Sequence, residues 1–186
     1  MKITLPTGIT LFRIGLIPLF VIVFYLPFAW SHLIATAIFA LACFSDWVDG
    51  YLARKLKQES AFGAFLDPVA DKLIVVVAII LIVGANPSIY VALPSVIIVA
   101  REITVSALRE WMAELGSRAT IKVSFIGKVK TAAQLFSLFL MIYAEPFFGY
   151  PMFQIGLGFY YLAALFTIIS MVLYLKAAWP VITENG

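Results

Sequence analysis

Six apolar stretches, near residues 10–30, 32–54, 67–84, 88–110, 124–145 and 152–178, constrain the fold of this chain more than any other feature. At about 1.5 Å of rise per residue, each is long enough to cross roughly 30 Å of hydrocarbon as a helix. Breakers part them: Pro27 with Trp30 and Ser31, the run from Gly84 to Pro87, and the run from Glu145 to Pro151. With 63% hydrophobic residues and a mean hydropathy of +1.05, the chain lies outside the range of soluble globular proteins. The expectation is an all-α integral membrane protein with six transmembrane helices.

Charge placement supports that number. The 13 basic residues lie at the N-terminus, at Arg54, Lys55, Lys57 and Lys72, between Arg101 and Lys130, and at Lys176. Six spans put all of these places on one side, which the positive-inside rule makes cytoplasmic, with both termini there. Five or seven spans would put basic clusters on opposite faces. Trp30, Tyr90, Phe147, Phe148 and Tyr150 fall at the outer connections, as an interfacial aromatic belt would. His32 falls on that outer side too and is given no catalytic role. The N-terminal run is too long for a signal-peptide core, carries Arg13 and lacks a small-residue cleavage site, so it reads as a first span. Residues 1–9 are expected along the membrane surface, with Pro6 marking a change of direction. Residues 10–179 form the six-helix domain, and 180–186 a short tail. Cys43, the single cysteine, reads as a packing residue.

Four aspartates stand out against this apolar background. Asp46, Asp49, Asp67 and Asp71 fall within 26 positions, and acids at membrane depth are costly without a compensating cation. On a helix Asp46, Asp49, Gly50, Ala53 and Arg54 step by three or four and share a face at the end of the second span. Gly63, Asp67 and Asp71 recur every four residues at the start of the third. The short connection is expected to bring the two stripes face to face. Oxygen-only donors select hard cations such as Mg²⁺ or Mn²⁺, and four carboxylates can hold two of them. Such pairs stabilise both the entering and the leaving oxygen of a displacement at phosphorus. Gly50, Ala53 and Gly63 would leave room for a substrate, and Arg54 would offer a fork to phosphate oxygens. Alone, the small residues would read as helix contacts and Arg54 as an interfacial cation.

A second group is cationic. Arg101 lies about two turns inside the fourth span, and Arg109, Arg118, Lys128 and Lys130 follow it. Arginine at such depth serves an anion or a paired carboxylate, and Glu102 and Glu110 are at hand for pairing. This surplus suits an acceptor that bears phosphate.

The pattern D46-x2-D49-G50-x2-A53-R54-x8-G63-x3-D67-x3-D71 resembles the signature of the CDP-alcohol phosphatidyltransferases at every defining position. The runs L5-P6-T7 to R13, F65 to K72, A100 to G116 and I126-G-K-V-K-T131 are similar to the branch of that family that makes phosphatidylglycerophosphate, so the likeness covers nearly the whole chain. Thr7 stands where many relatives carry asparagine. The resemblance implies a CDP-alcohol phosphotransferase fold, a homodimer, and a multi-pass protein of the bacterial inner membrane with its site facing the cytoplasm. It implies CDP-diacylglycerol as donor, sn-glycerol 3-phosphate as acceptor, contact with membrane lipid, and no nucleic acid partner. By the same resemblance Asp46, Asp49, Asp67 and Asp71 hold two divalent cations, Mg²⁺ or Mn²⁺. Asp71 is also the general base, and Thr10, Gly50, Ala53, Arg54 and Gly63 shape the CDP pocket. Arg101, Arg109, Arg118, Lys128 and Lys130 are the candidates for the acceptor phosphate. Two alternatives stay open: a sibling transferase using inositol phosphate, phosphatidylglycerol or serine, and a divalent-cation transporter. Against the transporter, the acids lie at one face and Arg54 stands beside them.

Overall fold

The structure, a computed structural model, describes residues 5–56, 61–114 and 125–185. Among these, six helices follow in order: α1 (Leu5–Tyr25), α2 (Ser31–Leu56), α3 (Ala61–Ala85), α4 (Ile89–Glu114), α5 (Phe125–Tyr143) and α6 (Met152–Asn185). The six stretches expected from hydropathy each become one helix. Four of them, α1, α3, α4 and α6, contain continuous segments long and apolar enough to cross a membrane. In α2 and α5 the apolar part is shorter, Ser31–Asp46 and Val129–Tyr143, because the acids of α2 and the lysines of α5 occupy one end of each helix.

The ends differ from the sequence expectation in two places. No change of direction occurs at Pro6: α1 already begins at Leu5, and proline is tolerated in a first turn, where its missing N–H would have no partner anyway. The expected tail from 180 is helical as well, since α6 runs on to Asn185. The connection between α5 and α6 holds a feature that breaker residues alone did not reveal. Pro146–Phe147 and Tyr150–Pro151 pair antiparallel as β1 and β2, joined by Phe148 and Gly149. Both turn residues have positive φ, 49° and 80°, the requirement of a two-residue turn whose twist matches its strands.

The chain divides into two compact units. The first comprises residues 1–85 and 139–153 and holds α1, α2 and α3. Here α1 packs against both α2 and α3, which meet each other much less. Phe20, fully buried, lies 6.0 Å from Phe39 and 6.2 Å from Phe24 between ring centroids, and His32 sits edge-on to Phe24 while its Nδ1 approaches the Ile142 carbonyl at 3.2 Å. His32 is thus a packed, hydrogen-bonded residue at the end of α2 away from the acids.

The second unit comprises residues 86–138 and 154–186, with α4 and most of α5 and α6. Pro94 lies inside α4 and cannot donate to the Tyr90 carbonyl one turn back. The Tyr161 hydroxyl donates to that carbonyl instead, at 2.9 Å. In hydrocarbon an unpaired carbonyl is costly, so this contact lets α4 carry a proline inside an apolar span. Ser95 and Tyr160 share a buried hydrogen bond of 2.9 Å one turn deeper.

Candidate active site

Thr10 and Arg13 stand three residues apart on α1 and so face the same way. Both are fully buried. Arg13 donates through one guanidinium nitrogen to Asp46, at 2.9 Å, and to Asp71, and through the other to Asp49. The Thr10 hydroxyl lies 2.6 Å from Asp67 Oδ1 and 3.4 Å from Asp49 Oδ2. The four aspartates of α2 and α3 are therefore drawn together around two side chains of α1. Their exposures differ: the Asp46 and Asp71 side chains are 48% and 45% open, whereas Asp49 is closed at 4%. An incoming group can reach Asp46 and Asp71, while Asp49 faces the packed interior.

The convergence of the acids agrees with the phase of the two stripes, and α1 adds a part that the stripes alone did not indicate. The direct meeting of α2 and α3, where Asp46 and Asp71 lie within hydrogen-bond reach of each other, is supplemented by α1, which packs against both helices. The electrostatics explain this. A guanidinium offers five N–H donors in a rigid fork, so one arginine can serve several carboxylates and offset the repulsion among acids that lie this close. Sequence reasoning noted Arg13 as a charge inside the first span without giving it a place in the site. The signal was the T10-x-x-R13 spacing, two polar residues on one face of an otherwise apolar helix. Gly50, Ala53 and Arg54 continue the backbone stripe of α2, their side chains lying outside the described ones, and Gly63 is buried at the start of α3.

Among the described residues no three acidic, histidine or cysteine side chains surround a common point as ligands of one ion. The donor chemistry nevertheless fits hard divalent cations: four carboxylates, all oxygen, gathered about one guanidinium and one hydroxyl, with two of them open.

In the second unit the cations also gather. Arg101, buried, donates to Ser170 Oγ at 3.1 Å and lies 5.7 Å from the centre of the Tyr174 ring. Arg109 stacks on the same ring at 5.0 Å and donates to the tyrosine hydroxyl. Glu102 accepts from Lys130, also buried, and lies 3.5 Å from Arg101. Three cations thus share one carboxylate and one aromatic face, an arrangement with positive charge to spare. Of the other two candidates, Arg118 lies outside the described residues, and Lys128 is placed on α5 by its backbone, its side chain again outside them. Among the described residues of this unit, two buried polar atoms are without a hydrogen-bond partner, Arg101 Nε and Gln134 Oε1.

With this geometry in view, comparison with known proteins is decisive for the family. Residues 3–178 match the family described as CDP-alcohol phosphatidyltransferase. The chain belongs to the CDP-alcohol phosphatidyltransferases. Among similar curated proteins, a Pectobacterium atrosepticum protein is 49% identical over 178 residues, 96% of each chain. One from Salmonella paratyphi A is 48% identical over the same share, and one from Yersinia pestis is 46% identical over 99% of this chain and all of its own. All three carry the name CDP-diacylglycerol–glycerol-3-phosphate 3-phosphatidyltransferase. In this CDP-alcohol phosphatidyltransferase every signature position falls on α2 or α3, the two helices that meet the polar face of α1.

Proposed function

We propose that the chain transfers the phosphatidyl group of CDP-diacylglycerol to sn-glycerol 3-phosphate, giving phosphatidylglycerophosphate and CMP. The observation that carries this reading is the near half identity, over essentially full length, with relatives named for that activity. The positive surplus around Arg101, Arg109 and Lys130 favours an acceptor with a phosphate over serine.

In the proposed reaction the acceptor hydroxyl oxygen forms a bond to the lipid-side phosphorus, the bond from that phosphorus to CMP breaks, and the hydroxyl proton passes to Asp71. Asp71 suits that role because its side chain is half open, unlike Asp49. Asp46, Asp49, Asp67 and Asp71 would hold two divalent cations, Mg²⁺ or Mn²⁺, which supply charge stabilisation to the phosphate oxygens. Thr10 and Arg13 orient the carboxylates. Gly50, Ala53, Arg54 and Gly63 would shape the CDP pocket, with Arg54 taking up charge on the departing CMP. Arg101, Arg109 and Lys130, with Lys128 and Arg118, would bind the acceptor phosphate. The protein would act as a homodimer in the bacterial inner membrane, both termini and the site on the cytoplasmic side, where the basic residues fall by the positive-inside rule.

The test is CMP release by purified protein given CDP-diacylglycerol and a panel of alcohols. Glycerol 3-phosphate should support turnover, and serine should not. Turnover with serine and none with glycerol 3-phosphate would overturn the choice of acceptor. A second expectation concerns metal dependence. Asp67→Ala should raise the Mg²⁺ concentration for half-maximal rate by at least about tenfold, the loss of roughly one charged ligand. An unchanged titration would remove Asp67 from the ligand set.

A further inference from the structure

Gln134 occupies α5 one turn beyond Lys130, hence on the same face and about 6 Å further along the helix. The residue is only 4% exposed, and its amide oxygen is without a partner. The nearby helix α4 supplies the complementary orphan, the Arg101 Nε donor, on a residue 7% exposed. The Glu102 and Lys130 pair links the two: Glu102 adjoins Arg101 in sequence and accepts from Lys130, one turn from Gln134. Buried polar atoms are nearly always paired, so an unpaired donor and an unpaired acceptor on the two helices that this ion pair joins suit a ligand offering a partner to each. Such a ligand carries an anionic oxygen for the arginine and a hydroxyl group for the glutamine.

We infer that Gln134 is a specificity-determining residue, its amide oxygen accepting a hydrogen bond from the hydroxyl of the phosphorylated polyol that does not react. This rests on the reading of the basic cluster as the acceptor site. Glycerol 3-phosphate has two hydroxyls, a primary one suited to attack and a secondary one left over. Lysine and arginine recognise the phosphate but are indifferent to that second hydroxyl. A glutamine oxygen is not, because an acceptor lacking the hydroxyl leaves it buried and unpaired.

The experiment compares glycerol 3-phosphate with propane-1,3-diol monophosphate, which keeps the phosphate and a primary hydroxyl and lacks the secondary one. Full-length protein is assayed by CMP release. Wild type should favour glycerol 3-phosphate by at least about tenfold in kcat/KM, the lower end of what leaving one buried acceptor unpaired costs. In Gln134→Met, similar in size but without the oxygen, that advantage should shrink to within about threefold, the loss appearing in the acceptor KM and not in that for CDP-diacylglycerol. Gln134→Asn, which draws the oxygen back by one methylene, should compress the ratio too and serves if the methionine variant fails to fold. A preference that survives both substitutions, or a wild type that makes CMP equally from both acceptors, would overturn the role of Gln134 while leaving the proposed activity intact. A wild type that makes CMP from neither would instead overturn the acceptor reading and this inference with it.

Discussion

Arg13→Met should lower the melting temperature of the purified protein by roughly 10 °C, the equivalent of about 3 kcal/mol in a chain of this size. The guanidinium is fully buried inside the first span and meets three of the four aspartates. Methionine fills similar volume with no charge, so packing is kept while the cation is lost. Breaking a buried ion pair from one side typically costs about 3 to 5 kcal/mol, because the partner is left charged and unpaired. The low end applies here, since Asp46 and Asp71 are half exposed and solvent screens part of the repulsion among them, whereas Asp49 has no such relief. Arg13→Lys should recover only part of the loss, because a single ammonium cannot reach three carboxylates from the two ends of a planar fork. Intrinsic fluorescence of the four tryptophans during heating provides the measurement. A methionine variant melting within 2 °C of wild type, about half a kcal/mol in such a chain, would show that Arg13 does not hold the acid cluster together.

That expectation depends on a contact the sequence could indicate but not place. Helices were legible wherever the physics is one-dimensional: apolar length set the six elements, and three- and four-residue spacing put Asp46 with Asp49 and Asp67 with Asp71 on common faces. The pairing of Glu102 with nearby cations was legible for the same reason, because Arg101 is its neighbour in sequence. The missing part was tertiary. Thr10 and Arg13 are separated from the acids by more than 30 residues, and nothing in their local pattern says which helix face they meet. Gln134 was missed because a single amide in an apolar helix has no periodic signal. Only burial and the lack of a partner set it apart. The hairpin at Phe148 and Gly149 escaped because its first turn position, which favours asparagine or glycine, is taken by phenylalanine at φ 49°. At the helix ends, local rules gave the wrong boundary in one direction: Pro6 reads as a breaker in the middle of a helix but is compatible with the first turn, where it stands.

Asp71→Asn should leave the protein folded and reduce turnover by at least about a thousandfold, in the range for removal of a group with the proposed role of general base and charged ligand. The amide matches the carboxyl in shape and can still accept a hydrogen bond from Arg13, so the three-helix arrangement retains its main contact. Asp46 and Asp49 remain to balance the guanidinium. What is lost is the ability to take a proton and the full negative charge toward a cation. Because the Asp71 side chain is half open, the substitution should not strand a buried charge, and the melting temperature is expected to stay within a few degrees of wild type. Asp49→Asn is the contrasting control: its side chain is almost closed to solvent, so a change there should reduce stability as well as rate. Measuring CMP release and thermal unfolding on both variants separates chemistry from support. If Asp71→Asn keeps activity within tenfold of wild type, another group takes the acceptor proton, and Asp46, the other open carboxylate beside Arg13, becomes the candidate base.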